Sequence, residues 1–371
     1  MPAAHPKSSE TAEDSPSRSL PPVEAPTGSF ILQLFLIPLV IVTMVVLLWL
    51  MFSWLAHMGR DNPQAIVQQL SRFDESSWQR AYELAELLRS PDPKYDELRR
   101  DPKVCGELIK LLEKDLKLKV DETDPKRKKR LEETQLKRRM FLCRAIGSFY
   151  IPDGVPVLLR CIKEPGQNGA DVQLSALEGI ATLAKNVGPE KLREEKDLLP
   201  TVIAASRQSD EETSISVATD GESFFRPGGE VRAVAAYALG VLAGEEERER
   251  LATMLKVEAY PNARYNAATG LARAGDVRCI PILKEMLNPD NDAAAKDERG
   301  TRDQDNKRII VLRNGIQTTV VLAQKNSTAD LSPLKIALQT IIDSDLAAIK
   351  TDRGKLQIAA KEALRMLDKR K

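Results

Sequence analysis

The sequence predicts an all-α chain, an α-solenoid of stacked antiparallel helical hairpins preceded by one transmembrane helix. Three observations carry this. From residue 63 onward, apolar residues recur at helical spacing, and no run shows strand-like alternation bounded by hairpin turns. The amphipathic segments, about 12–20 residues each, pair repeatedly across short breaks, as repeat arrays do. A single uncharged, mostly apolar run, FILQLFLIPLVIVTMVVLLWLMFSWLA, occupies 30–56.

Composition agrees with a helical protein that has a sizeable core. Of 371 residues, 42% are hydrophobic and only 5% aromatic. Ala, Leu, Glu, Lys and Arg are abundant, which favours helix over sheet. Lys and Arg total 55 against 54 Asp and Glu, so no global bias points to nucleic acid or anionic lipid. Any charge-based function must come from local clusters. The four cysteines, Cys105, Cys143, Cys161 and Cys279, form no CxxC pair, and each sits beside apolar residues in a helical stretch. They read as small buried thiols rather than a disulfide framework, which favours a reducing compartment.

Residues 1–29 are rich in Pro, Ser, Ala and Glu without an apolar period, which predicts disorder. The 30–56 run exceeds the roughly 20 residues that a helix needs to cross the hydrocarbon core. Trp49 and Trp54 sit near its end as interface anchors would, and Pro38 predicts a kink in its first third. A signal peptide has an apolar region of about 7–15 residues, shorter than this one. No small-x-small cleavage site lies around Ala56-His57-Met58, so an uncleaved single-pass anchor is expected. It contains no glycine and so offers no close-packing dimer motif. Asn62-Pro63 follows as a cap and first helical position without a flexible stalk, so the repeat domain, 63–370, begins at the membrane surface.

Seven hairpins are expected. Two irregular pairs, 64–71 with 76–89 and 103–117 with 125–148, come first. Then follow 154–163 with 170–186, 190–206 with 229–243, 246–257 with 261–273, 277–288 with 305–325, and 332–344 with 353–369. Two windows nearly superimpose: EVRAVAAYALG from Glu230 and NARYNAATGLA from Asn262, with Arg232 and Arg264 32 residues apart. Asp171-Val172-Gln173-Leu174 begins a weaker copy. The partner helices also match, Asp153-Gly154-Val155-Pro156 beside Asp276-Val277-Arg278-Cys279-Ile280-Pro281. Val231, Ala236, Leu239, Ala263, Ala267 and Leu271 supply the apolar face that stacking must bury, and their small members let consecutive helices approach.

This pattern resembles the HEAT repeat, in the short HEAT-like form of phycobilisome lyases. The likeness is clear over 150–290 and looser over 63–370; the first two hairpins and the last depart from it, as end repeats do. The resemblance implies an armadillo/HEAT-like α-solenoid that serves as a binding surface.

Two insertions split hairpins between their helices, 207–228 and 289–304, and are expected as polar loops on one edge of the array. The first carries Phe224-Phe225, a candidate contact for a partner. Catalytic chemistry is not indicated. The only histidines are His5 and His57, and the phosphate-binding glycine motifs, the nucleophile elbow and the His-Glu pairs of di-iron HEAT-repeat enzymes are missing. No cofactor or metal is implied. The strongest charge cluster is Lys126, Arg127, Lys128, Lys129 and Arg130, followed by Lys137, Arg138 and Arg139. It reads either as a solvated helix face or as a contact for anionic lipid or, less well supported, nucleic acid. Asn326-Ser327-Thr328 fits a glycosylation acceptor, a pattern common by chance.

The sequence therefore predicts a non-enzymatic, membrane-anchored scaffold that binds a protein or peptide. The alternative is a membrane-tethered binder of anionic lipid or nucleic acid through 126–139. Arg60, Arg72 and Arg80 after the apolar run, against Lys7 and Arg18 before it, favour a cytoplasmic repeat domain.

Overall fold

A computed structural model describes residues 28–58, 67, 69–164, 169–209, 215–219, 222–226, 229–296, 298, 300–346, 349 and 351–369. The chain divides into two compact units, Met1–Asn62 and Pro63–Lys371. Most of the tail expected over 1–29 lies outside the described residues.

In the first unit, α1 (Gly28–Met58) extends two residues beyond each end of the apolar run and continues through Pro38. Its stretch Phe35–Ser53 has a mean hydropathy of 2.8, and the helix is apolar around its whole circumference. The Thr43 hydroxyl donates to the Leu39 carbonyl at 2.8 Å, so this polar group is satisfied within the helix. By length and composition α1 suits a bilayer core, and a signal sequence near an N-terminus passes the same test.

The second unit is a two-layer stack of helical hairpins. Its longer helices are α2 (Ser77–Arg89), α3 (Pro102–Lys117), α4 (Pro125–Gly147), α5 (Val155–Lys163), α6 (Ala170–Val187), α7 (Leu198–Ala205), α8 (Gly229–Leu242), α9 (Glu245–Val257), α10 (Pro261–Arg273), α11 (Ile280–Met286), α12 (Thr301–Lys325), α13 (Ser332–Asp343) and α14 (Arg353–Asp368). The second helix of each hairpin packs on the second helix of the next, giving the series α2, α4, α6, α8, α10, α12, α14. The first helices form the other layer, with α5 against α3 and α7, α7 against α9, and α11 against α13. This is the α-solenoid that the periodicity predicts.

Asp and Pro start several of these helices. Asp101 accepts from the amides of Lys103 and Val104, and Asp124 from that of Lys126, each ahead of a proline at the first helical position. One apolar core runs from Val67 to Leu367 between the layers. Stacking buries it continuously, which no single hairpin can do. Val231, Ala236, Leu239, Ala263, Ala267 and Leu271 are all fully buried in it. Glycine sets the closest approaches within the second layer. A Cβ on Gly147 would sit 2.4 Å from the Cα of Gly179, and one on Gly240 would sit 2.6 Å from the Cα of Gly270. The backbones of α4 and α6, and of α8 and α10, touch where only hydrogen atoms fit.

Several expectations are corrected. The 190–206 segment is two pieces, Pro189–Arg193 and α7. The 207–228 insertion is not a plain loop. It contains an antiparallel hairpin, β1 (Ile215–Thr219) with β2 (Glu222–Arg226), the one pair of strands among the described residues. ISVAT and ESFFR are too short to stand out as alternation, and pairing satisfies their backbone groups locally. The 289–304 insertion is shorter than expected because α12 begins at Thr301, and its Ala295 is buried. The first segment, 64–71, lies partly outside the described residues.

Candidate interaction surface

The repeat arginines are clamps that join consecutive hairpins. Arg232, in the first turn of α8, donates through Nη1 to the Gln208 carbonyl beyond the end of α7, at 3.0 Å. Its Nε and Nη2 form a two-pronged pair with Glu258, at 2.9 and 3.0 Å, just beyond α9. Arg264, in the first turn of α10, donates to the Glu258 carbonyl at 3.2 Å and to Glu285 of α11 at 2.5 Å. Each arginine therefore caps the open carbonyls of its own hairpin's first helix and reaches a carboxylate on the next one.

The same cap recurs with glutamine, which the sequence reading missed. Gln135 donates to the carbonyls of Asp115 and Leu118, Gln173 to that of Ile162, and Gln357 to those of Ile342 and Ser344. Gln173 was visible only as part of the weaker copy of the arginine windows. Arg99 applies a related cap to α2, donating to the carbonyls of Leu88 and Ser90.

The basic segment of α4 splits in two. Lys126, Arg127, Lys128, Lys129 and Arg130 are exposed, and Arg127 pairs with Glu122 at 3.3 Å. Arg138, by contrast, is only 2% exposed, and its Nε lies 3.2 Å from the Asp115 carboxylate, which is equally buried. Arg139 is half-buried and donates to the Asp115 carbonyl. The expectation that 126–139 acts as one basic surface is corrected, because Thr134, Arg138 and Leu142 share the stripe of α4 that faces the array. Burial disfavours charge on both partners. It raises the Asp115 carboxyl above its ordinary range, although Arg138 and Arg139 pull it down, and it lowers the Arg138 guanidinium.

Lys137 lies over the Trp78 ring, 5.1 Å from its centroid. It begins a row of aromatic–cation pairs along the second layer. Trp78, Tyr82 and Phe141 cluster, with centroids 6.3 Å apart for Trp78–Phe141 and 5.1 Å for Tyr82–Phe141. Arg144 lies 5.7 Å from the Phe141 centroid. Further along, Tyr237 of α8 is flanked by Lys185 of α6 at 4.8 Å and Arg273 of α10 at 5.6 Å. The Lys185 ammonium also donates to the Tyr237 hydroxyl. Between these clusters runs a groove of about 450 Å³, lined among others by Arg89, Arg144, Glu178, Thr182, Tyr237 and Asn266. It therefore touches five successive second-layer helices, α2 to α10. Within it Arg144 pairs with Glu178 at 3.0 Å.

Phe224 and Phe225 lie on β2, opposite Val217 and Ser216 of β1. Their side chains are outside the described residues, as is His5. All four cysteines are free and buried. Burial pushes the Cys105 and Cys279 thiols up to about 12, so neither is a thiolate near neutral pH. Among the described residues no group of three His, Cys, Asp or Glu is arranged to hold a metal ion. Asn326 donates through Nδ2, the atom a glycan would modify, to the Gly275 carbonyl at 2.8 Å, a link between the ends of α12 and α10.

Residues 263–289 match the model of the PBS lyase HEAT-like repeat. Comparison with curated proteins finds no matching relative. The matched residues span α10, the turn at Val277–Cys279 and α11, so they cover the second helix of one hairpin and the first of the next, joined by Arg264 and Glu285. The same two-layer unit recurs on both sides of this segment, and the chain is a HEAT-like repeat protein.

Proposed function

We propose that this protein is a non-enzymatic, membrane-anchored scaffold whose second-layer surface binds a protein or peptide. The observation that carries this reading is the groove across five stacked helices, bordered by exposed or half-buried aromatic rings that cations cover. Aromatic and arginine side chains are the groups that carry most energy at interfaces. The length and apolarity of α1 support the anchor, and the four buried thiols together with the arginines after the apolar run support a cytoplasmic repeat domain.

The lipid or nucleic-acid alternative is weaker. With Arg138 buried, its exposed part is Lys126 to Arg130, and those five cations are offset by five nearby carboxylates, Asp121, Glu122, Asp124, Glu132 and Glu133. A solvated helix end accounts for them.

The test is site-specific photo-crosslinking in the full-length, membrane-inserted chain. A benzoylphenylalanine at Val234, on the groove, is expected to give a discrete adduct. One at Val257, exposed on a first-layer helix, is expected to give none. No adduct from Val234 would rule out this surface as the binding site of a scaffold.

A further inference from the structure

The surface carries information about the chemistry of its partner. Three cations on it, Lys137, Lys185 and Arg273, have aromatic partners and form no ion pair among the described residues. Two further cations on the surface, Arg144 of the row and Arg89 on the groove, are matched by Glu178 and Glu86. A cation held over a ring keeps its charge while its stem is fixed by the packing, so it is oriented before any partner arrives. The fold itself does not need these charges, because each apolar stem could stack on its ring without one.

We propose that the second-layer surface takes an extended acidic peptide that places two carboxylates on two separate aromatic–cation stations. One carboxylate pairs with Lys185 and Arg273 on either side of Tyr237. The other pairs with Lys137 beside Trp78 and Phe141. The stations lie on α8 and on α2 and α4. At about 8–10 Å per packed helix, α4 and α8 are separated laterally by roughly 16–20 Å. Because Asn186, next to Lys185, donates to the Ser148 carbonyl, Tyr237 lies level with the end of α4, roughly 15 Å further along the axis than Lys137. An extended chain covers the resulting diagonal of roughly 22–25 Å in about seven to eight residues. The ligand is therefore a segment with acidic side chains about eight positions apart, which an extended chain turns to the same face, and polar residues between them, which meet the groove lined by Arg89, Arg144, Glu178, Thr182 and Asn266. This inference rests on the scaffold reading of the same surface and adds the partner's charge and spacing.

The test uses the full chain in neutral-lipid nanodiscs and three fluorescein-labelled peptides, read by fluorescence anisotropy. In the first, two glutamates are about eight positions apart; in the second they are replaced by glutamines; in the third they are adjacent. The first is expected to bind at least about tenfold more tightly than the other two, in keeping with charge-assisted pairing. Its affinity is expected to fall steeply between low and high salt. Lys185→Gln and Arg273→Gln should each remove most of that preference, while Lys128→Gln with Lys129→Gln, exposed on α4, should leave it intact. Matching thermal midpoints establish that the variants fold. Equal binding of all three peptides, or loss caused equally by the α4 variant, overturns the proposal. If crosslinking at Val234 yields a partner while the acidic peptide fails to bind, this inference alone fails; if neither occurs, the scaffold reading fails with it.

Discussion

The hairpins α3–α4 and α9–α10 close in the same way but with different chemistry. In α9–α10, Arg264 caps the end of the first helix and reaches Glu285 while its side chain stays partly in contact with water. In α3–α4, neutral Gln135 supplies the cap, and a separate ion pair, Arg138 with Asp115, is sealed inside. The first arrangement pairs both Arg264 Nη atoms and leaves only its Nε without a hydrogen-bond partner among the described residues. In the second, the Arg138 Nε and Nη1 and one Asp115 oxygen find no well-directed partner. Two charges brought out of water without full hydrogen bonding stabilise a fold little, yet neither can be removed alone without stranding the other. A cap needs only a donor, and charge becomes a liability once the clamp is fully buried.

The largest expected effect tests that liability. Arg138→Ala leaves Asp115 unpaired and should cost about 3–5 kcal/mol, read from urea unfolding of the full-length chain. Arg138→Met combined with Asp115→Leu should recover most of the loss. If the double variant is as unstable as the single one, packing rather than charge governs this site.

Next come the glycine contacts, which both regions share. Gly147→Ala and Gly240→Ala each push a methyl group against a facing backbone, and each should cost about 1–3 kcal/mol by the same measurement. A loss at only one of them would show that α4–α6 and α8–α10 are not packed alike.

A smaller effect probes the exposed clamp. Arg264→Lys keeps the charge but cannot reach the Glu258 carbonyl and Glu285 together, and should cost about 1 kcal/mol. An unchanged midpoint would mean that Glu285 is held well enough by Tyr265, whose hydroxyl donates to it at 2.8 Å.

The smallest effect is a difference in pH dependence. Burial raises the Asp115 carboxyl, so the native state binds that proton more tightly than the unfolded chain does. Its contribution is present below the unfolded value of about 3.9 and is lost as pH rises through the raised native value. Asp276 runs the other way. Hydrogen bonding from the Arg278 side chain lowers its carboxyl, so its contribution is present above about 3.9 and lost as pH falls through the lowered native value. Asp115→Asn should flatten the decline of stability as pH rises above about 3.9, and Asp276→Asn should flatten the acid loss.

Much of the fold was legible in the residues themselves. The apolar period placed the helices of the central hairpins within a few residues, and the Arg232 and Arg264 windows identified the repeat and its register. The apolar run at 30–56 located α1 with no reference to any neighbour, because the length and apolarity of an uncharged stretch are one-dimensional properties. The strands in 207–228 were not legible, since five residues each give too short an alternation to separate from a loop.

The candidate surface depended on the tertiary structure. Lys126 and Arg138 look alike in a list of charges, and only the direction in which α4 turns Arg138 makes one a solvated side chain and the other a buried partner of Asp115. Trp78, Lys185, Tyr237 and Arg273 are scattered over nearly two hundred positions, and no local pattern links them. Stacking brings them onto one layer, because the second helices must face each other to bury the apolar stripe that the sequence prescribes. The sequence determined which elements form and that they must stack. The stack alone decided which polar side chains share a surface, since contacts between repeats are set by packing and not by distance along the chain.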